Sequence, residues 1–200
     1  MLRRRKILLL ILIVFAFAVI GLTIIGSVSE RPEGNVVPRL VPQNIPETIR
    51  IHSIDSPEFR GKLAQWIYDR SQRISKRTAR DIVDEVFKYK HPVFLLAIMG
   101  PETGGTYLPT SKGPTGDYGL GQVVPAQHKE LMAKLGVKDA RDLYDIDTNV
   151  KAMSIIFEEM LARAKGDPVQ TMKFYVGAHK AKYQADLFVN FASMMLLMES

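Results

Sequence analysis

The chemistry-bearing stretch of this 200-residue chain is Leu95 to Pro125, LLAIMGPETGGTYLPTSKGPTGDYGLGQVVP. Val93 to Met99 is apolar on every side and runs into Gly100-Pro101 and then Glu102. A proline has no backbone N–H to donate, so the helix is expected to stop there with the carboxylate projecting from its end. Six glycines follow in the loop (Gly104, Gly105, Gly113, Gly116, Gly119, Gly121), allowing positive φ angles and close backbone approach. A loop of this composition against a buried helix makes one wall of a cleft. A carboxyl group facing apolar walls is disfavoured in its charged form and becomes a usable general acid near neutral pH. Read alone, Glu102 fits a solvated helix-end acid better, and the surrounding pattern has to supply the rest.

Other chemistries are poorly represented. The four histidines, His52, His91, His128 and His179, are far apart and form neither HxxxH nor HExxH, so no metal site is expected. There is no cysteine, which excludes disulfides, thiolate metal sites, a cysteine nucleophile and a lipidated N-terminal cysteine. No nucleophile elbow, phosphate loop or dinucleotide fingerprint is present, and no cofactor is expected.

The elements that must position Glu102 are helical. Ser56-Pro57-Glu58 combines a capping serine, a proline at the first helical position and an acid in the first turn. Phe59, Leu63, Trp66, Ile67 and Arg70 then recur at helical spacing. The pattern predicts further helices over Lys76 to Tyr89, Val93 to Met99, Pro125 to Leu135, Asp147 to Ala164, Val169 to about Ala178 and Ala185 to Met198. No segment alternates with period two, so the fold class is all-α, with at most a small hairpin around residues 104 to 123. About 145 residues are expected to bury a single core.

Residues 7–26, ILLLILIVFAFAVIGLTIIG, carry no charge and one polar side chain, Thr23. As a helix they would span roughly 30 Å, the thickness of a bilayer's hydrocarbon core. Arg3, Arg4, Arg5 and Lys6 precede them, and no acid occurs before Glu30. Residues 1–6 are therefore read as a cytoplasmic basic stub and 7–26 as a transmembrane helix. Everything after Gly26 is then expected on the outer side of the cytoplasmic membrane. The competing reading is a cleaved signal peptide, whose apolar region is usually about 7–15 residues long. Residues 27–55 carry Pro32, Pro38, Pro42 and Pro46 and read as an extended tether; residues 56–200 are the folded domain. The net charge of +6 falls to +2 once the N-terminal cluster is set aside, so nucleic acid is not an expected partner.

The order of motifs resembles the lytic transglycosylases of the lysozyme-like superfamily. In that family an apolar helix ends in a catalytic Glu followed by Ser, and a Ser-containing turn comes about nine residues on. Gly-Leu-Met-Gln, a short apolar stretch and Pro follow, then an Asn-initiated helix and an Ala-Tyr-Asn-Ala-Gly motif. Here they stand as Glu102-Thr103, Ser111-Lys112-Gly113, Gly119-Leu120-Gly121-Gln122, Val123-Val124-Pro125, Asp147-Thr148-Asn149-Val150 and Phe174-Tyr175-Val176-Gly177-Ala178. The resemblance covers about residues 90 to 190. It implies an α+β lysozyme-like domain with minimal β structure. It also implies cleavage of the β-1,4 bond between N-acetylmuramic acid and N-acetylglucosamine in peptidoglycan, with a 1,6-anhydro end formed. By the same resemblance Glu102 is the single general acid and base, Ser111 and Gln122 meet the sugar, and Tyr175 holds Glu102 by its hydroxyl. Asp117 and Tyr118 join the substrate-binding set.

The departures from the pattern carry their own expectations. Gly121 replaces the usual Met, which would widen the groove, and Val176 replaces the usual Asn. The loop is longer, with Gly104-Gly105 as the site of the extra length. Asp117 stands where a small apolar residue is usual. In goose-type lysozyme-like relatives an acid in this region helps position water, so hydrolysis with Asp117 is the rival outcome. A weakly active peptidoglycan-binding scaffold in an envelope machine is a third reading. The expected partners are glycan strands, the inner membrane through residues 7–26 and, as a candidate, an envelope-spanning machine. His179, Lys180 and Lys182 follow the tyrosine motif as either a solvated helix end or a contact for acidic glycan or stem peptide.

Overall fold

The structure, a computed structural model, describes residues 54–176 and 181–198. The basic stub, the apolar run 7–26, nearly all of the tether and the cluster His179-Lys180 lie outside the described residues. Among the described residues no helix is long and apolar enough to cross a membrane.

Helix α1 spans Pro57–Ser71 and starts as its sequence requires, with the Ser56 hydroxyl accepting from the Phe59 N–H at 3.1 Å. It buries Phe59, Leu63, Ala64 and Ile67. Ser75 caps α2 (Lys76–Val86) in the same way, accepting from the Thr78 N–H at 3.0 Å. This helix ends three residues before Tyr89, because Lys88 and Tyr89 bond back three residues instead of four. His91, at φ 61°, turns the chain, and Pro92 opens α3 (Pro92–Glu102).

The all-round apolar character of α3 follows from its place. It packs against α2, against α5 (Ile146–Arg163), against α6 (Pro168–Val176) and most extensively against α7 (Ala181–Met195). Leu95, Leu96, Ile98 and Met99 are all fully buried, each contributing roughly 1.5–3 kcal/mol of transfer free energy. The helix runs through Pro101 to Glu102, three residues past the expected end at Met99. Glu102 thus sits on the last helical turn, on a rigid element.

Between α3 and α5 the segment expected as one helix over 125–135 is a 3-10 turn (Pro125–Gln127) followed by α4 (Lys129–Lys134). A second 3-10 turn, Ala140–Tyr144, is closed by reciprocal Asp139 and Asp142 caps. The expected hairpin is reduced to two isolated antiparallel bridges, Lys112 with Tyr118 and Tyr118 with Val123. Pro109 and Pro114 supply no N–H to extend them. Among the described residues there is no strand, so the domain is helical. The single core expected is joined by a satellite of Val123, Met132, Leu143, Ala152 and Ile156. It arises because α5 carries apolar residues on a second face, which α4 and the loop cover. Tyr175 packs against both clusters.

Candidate active site

The loop that carries the site is tied down at both ends by buried hydrogen bonds. At the first, the Thr103 hydroxyl donates to the Met99 carbonyl and accepts from the Tyr107 N–H, both at 2.8 Å. Tyr107 is buried, meets Trp66 edge-on and donates its hydroxyl to the Leu96 carbonyl at 3.3 Å. Burial pushes the pKa of its phenol up, so it stays a donor.

At the second end Asn149, near the start of α5 and 1% exposed, makes three bonds. Its Nδ2 donates to the carbonyls of Leu143 at 2.8 Å and Tyr118 at 3.0 Å, and its Oδ1 accepts from the Gly121 N–H at 2.8 Å. Gly119, at φ +77°, makes room for this: a Cβ there would lie 2.0 Å from Asn149 Nδ2 and 2.2 Å from the Leu143 carbonyl. Gln122 is the next residue set by the loop. Its Nε2 donates to the carbonyls of Gly119 at 2.7 Å and Ser111 at 3.4 Å, leaving its Oε1 without a donor among the described residues.

Two cavities meet over this frame, of about 480 Å³ and about 370 Å³, within the size range of small-molecule sites. Glu102, Asp117, Gln122 and Tyr183 border both. The cavities are the arms of one groove with Glu102 at their junction. The first arm adds Ser111 and the cations Arg73 and Lys112. The second adds Tyr175, His128 and an apolar set of Val124, Ile156, Met160 and Phe174.

The sequence-predicted residues fall into three groups. Glu102, Ser111, Asp117 and Gln122 come together around the groove. Asp117 is partly occupied by its own loop: its Oδ1 accepts from the Thr115 N–H at 3.1 Å and from the Thr115 hydroxyl. Tyr175 lines the second arm, but its hydroxyl donates to the Gly121 carbonyl at 3.1 Å instead of holding Glu102. Tyr118 lines neither arm; its ring lies 5.7 Å from that of Tyr144 and packs on the satellite core.

Tyr183, on the first turn of α7, hydrogen-bonds Glu102. Burial, then the Glu102 charge and hydrogen bond, raise the pKa of the Tyr183 phenol. Burial, then the Glu102 charge, does the same for Tyr175. Both phenols keep their protons at neutral pH and act as donors. Sequence reasoning missed Tyr183 by starting the last helix at Ala185. The signal was available: Tyr183, Leu187, Asn190 and Met194 recur at intervals of four, three and four, one face of a helix. The expected widening at Gly121 is also absent. A Cβ there would lie 2.9 Å from Met153 Cγ and 3.0 Å from the Tyr175 hydroxyl, so Met153 and Tyr175 fill the space.

Among the described residues no group of three or more His, Asp or Glu side chains is arranged to hold a metal ion. Residues 85–185, just over half of the chain, match the model of the Transglycosylase SLT domain. The chain therefore belongs to the Transglycosylase SLT domain family, whose activity is of the peptidoglycan lytic transglycosylase type, so it is an enzyme of cell-wall peptidoglycan. No curated protein and no solved structure matches it.

Proposed function

We propose that the protein cuts the β-1,4 bond between N-acetylmuramic acid and N-acetylglucosamine with Glu102 as the single acid and base, leaving a 1,6-anhydro end. What supports the reading is one observation. Glu102 sits on a rigid helix end where two arms of a groove meet, and it is hydrogen-bonded by a tyrosine that retains its proton. The protonated carboxyl gives its proton to the glycosidic oxygen as the C1–O bond breaks. The resulting carboxylate then takes the proton of the muramic acid's C6 hydroxyl while O6 bonds to C1. One carboxyl group serves twice, where hydrolysis normally uses two. Tyr183 orients Glu102 and stabilises its charged stage. Gln122 offers Oε1 to a sugar donor, and Ser111 lies in the arm that also carries Arg73 and Lys112.

Asp117 supports a second outcome, because it borders both arms beside Glu102. As a second carboxylate it would activate water and give a reducing end. Digestion of purified sacculi followed by mass spectrometry separates the two, since the anhydro product is one water lighter. Anhydro-muropeptides that vanish in Glu102→Gln are the expected result. Unchanged clearing by that variant refutes the assignment of Glu102.

The same proposal places the domain outside the cytoplasmic membrane, held by an uncleaved helix over 7–26 and a tether of up to about 3.1 Å per residue. It leaves room for an envelope-spanning machine as partner. Recovery of the full-length chain in the membrane fraction after alkaline carbonate washing is expected. A soluble product trimmed near Ser29 refutes the anchor.

A further inference from the structure

A third cavity, of about 520 Å³, shares Tyr183 with both arms of the groove and Pro101 with the first, but does not include Glu102. Its floor is the backbone of Gly100, where a Cβ would lie 2.3 Å from Asn190 Nδ2 and 2.8 Å from the Tyr107 hydroxyl. Its rim at Gly104 and Gly105 is bare backbone at φ +60° and +80°, with open space where side chains would project.

The walls are charged. The Arg70 guanidinium lies 4.5 Å from the centre of the Trp66 ring and donates to Oδ1 of Asn190, itself 7% exposed, at 3.4 Å. That bond uses one of five donors and fixes the planar group before any ligand arrives. Lys182 and Asp186, a turn apart on α7, complete the wall. Among the described residues no carboxylate is paired with Arg70 or Lys182. The cavity thus offers a pre-positioned fork for a carboxylate, a second cation, and one acid for an ammonium group or amide.

Muramic acid in peptidoglycan carries such a group, a short peptide with free carboxylates and a diamino acid, amide-linked to the carboxyl of its lactyl ether. We propose that this cavity receives the peptide of the muramic acid being cut, Arg70 and Lys182 meeting its carboxylate and Asp186 its cationic or amide side. The proposal rests on the reading that the groove at Glu102 takes peptidoglycan, and it makes the enzyme selective for peptide-bearing glycan.

The test uses the full-length chain carrying Glu102→Gln, so that ligands bind without turnover. The probes are a disaccharide-tetrapeptide, the peptide-free disaccharide and the free tetrapeptide. Trp66 is the sole tryptophan, so its emission reports on Arg70 directly. The peptide-bearing disaccharide should bind roughly tenfold or more tighter than the peptide-free one, as charge-assisted contacts predict, and it alone should shift Trp66 emission. Arg70→Gln and Lys182→Glu should each bring that ratio toward one; Lys182 is exposed, so folding is not at issue in the second. Equal affinity for the two disaccharides, or equal weakening of both by the variants, overturns the proposal. Binding of the free tetrapeptide as tightly as the disaccharide-tetrapeptide, with no binding of the peptide-free disaccharide, upholds the cavity and overturns the groove reading.

Discussion

Asn149→Ala tests whether the active-site loop takes its shape from α5 or from its own turns. The substitution removes three hydrogen bonds at a position 1% exposed. The Tyr118 carbonyl keeps a second donor, the Val123 N–H at 3.1 Å across the bridge. The Gly121 N–H and the Leu143 carbonyl lose the only partners they have among the described residues. Each buried group left unpaired costs roughly 1–3 kcal/mol. A water admitted to the vacated space recovers part of that. The expected loss is about 3 kcal/mol, a large share of a typical stability of about 5–15 kcal/mol. Urea unfolding should show it as a lower midpoint at unchanged slope. Because Gly121 and Gln122 are neighbours, the release rate of soluble muropeptides should fall at least about tenfold at temperatures where the variant is still folded. Asn149→Asp should be worse, since it sets a carboxylate beside two carbonyl oxygens. A loss below about 1 kcal/mol with unaltered turnover would refute the reasoning, because a loop that held its shape without Asn149 would owe nothing to α5.

Further outcomes follow from the same geometry. Tyr183→Phe should lower kcat by about ten- to a hundredfold with little change in KM, since a hydrogen bond to a charged group is worth roughly 1.5–3 kcal/mol; Tyr175→Phe should act through the Gly121 carbonyl and lower stability as well. Gly119→Ala should unfold the domain or cost more than about 3 kcal/mol, whereas Gly116→Ala, at φ +81° with open space around it, should cost about 1 kcal/mol; thermal melts decide both. Tyr107, Tyr175 and Tyr183 have folded pKa values above the ordinary 10.0. The unfolded chain therefore binds fewer protons than the native one above that pH, and the stabilisation present below pH 10.0 is lost as pH rises further. Absorbance titration should show these three phenols ionising only with unfolding, and early titration of all seven tyrosines overturns the burial argument.

Much of this arrangement was legible in residue order. The serine at 56, the stripes of α1, α2 and α5, and the apolar run ending at Glu102 each act locally, so periodicity and caps reveal them. The unread parts depend on distant partners. Pro101 looked like a helix stop because the loss of a donor is visible in sequence. The four helices that pack on α3 are not. Tyr175 reads as the partner for Glu102 because Tyr183, eight residues later, falls outside a last helix expected to start at Ala185; α7 in fact starts at Ala181. Gly121 read as a gap because Met153, thirty-two residues later, cannot be foreseen as its filler. Tyr118 was assigned to the groove by its neighbours in the chain, yet the bridges to Lys112 and Val123 turn it toward Tyr144.

A single phenol ring, that of Tyr183, borders all three cavities. An inhibitor wedged against that ring could branch into all of them from one anchoring point. Escape by mutation at Tyr183 would strip the proton donor from Glu102, so drug resistance bought there would cripple the enzyme that acquired it.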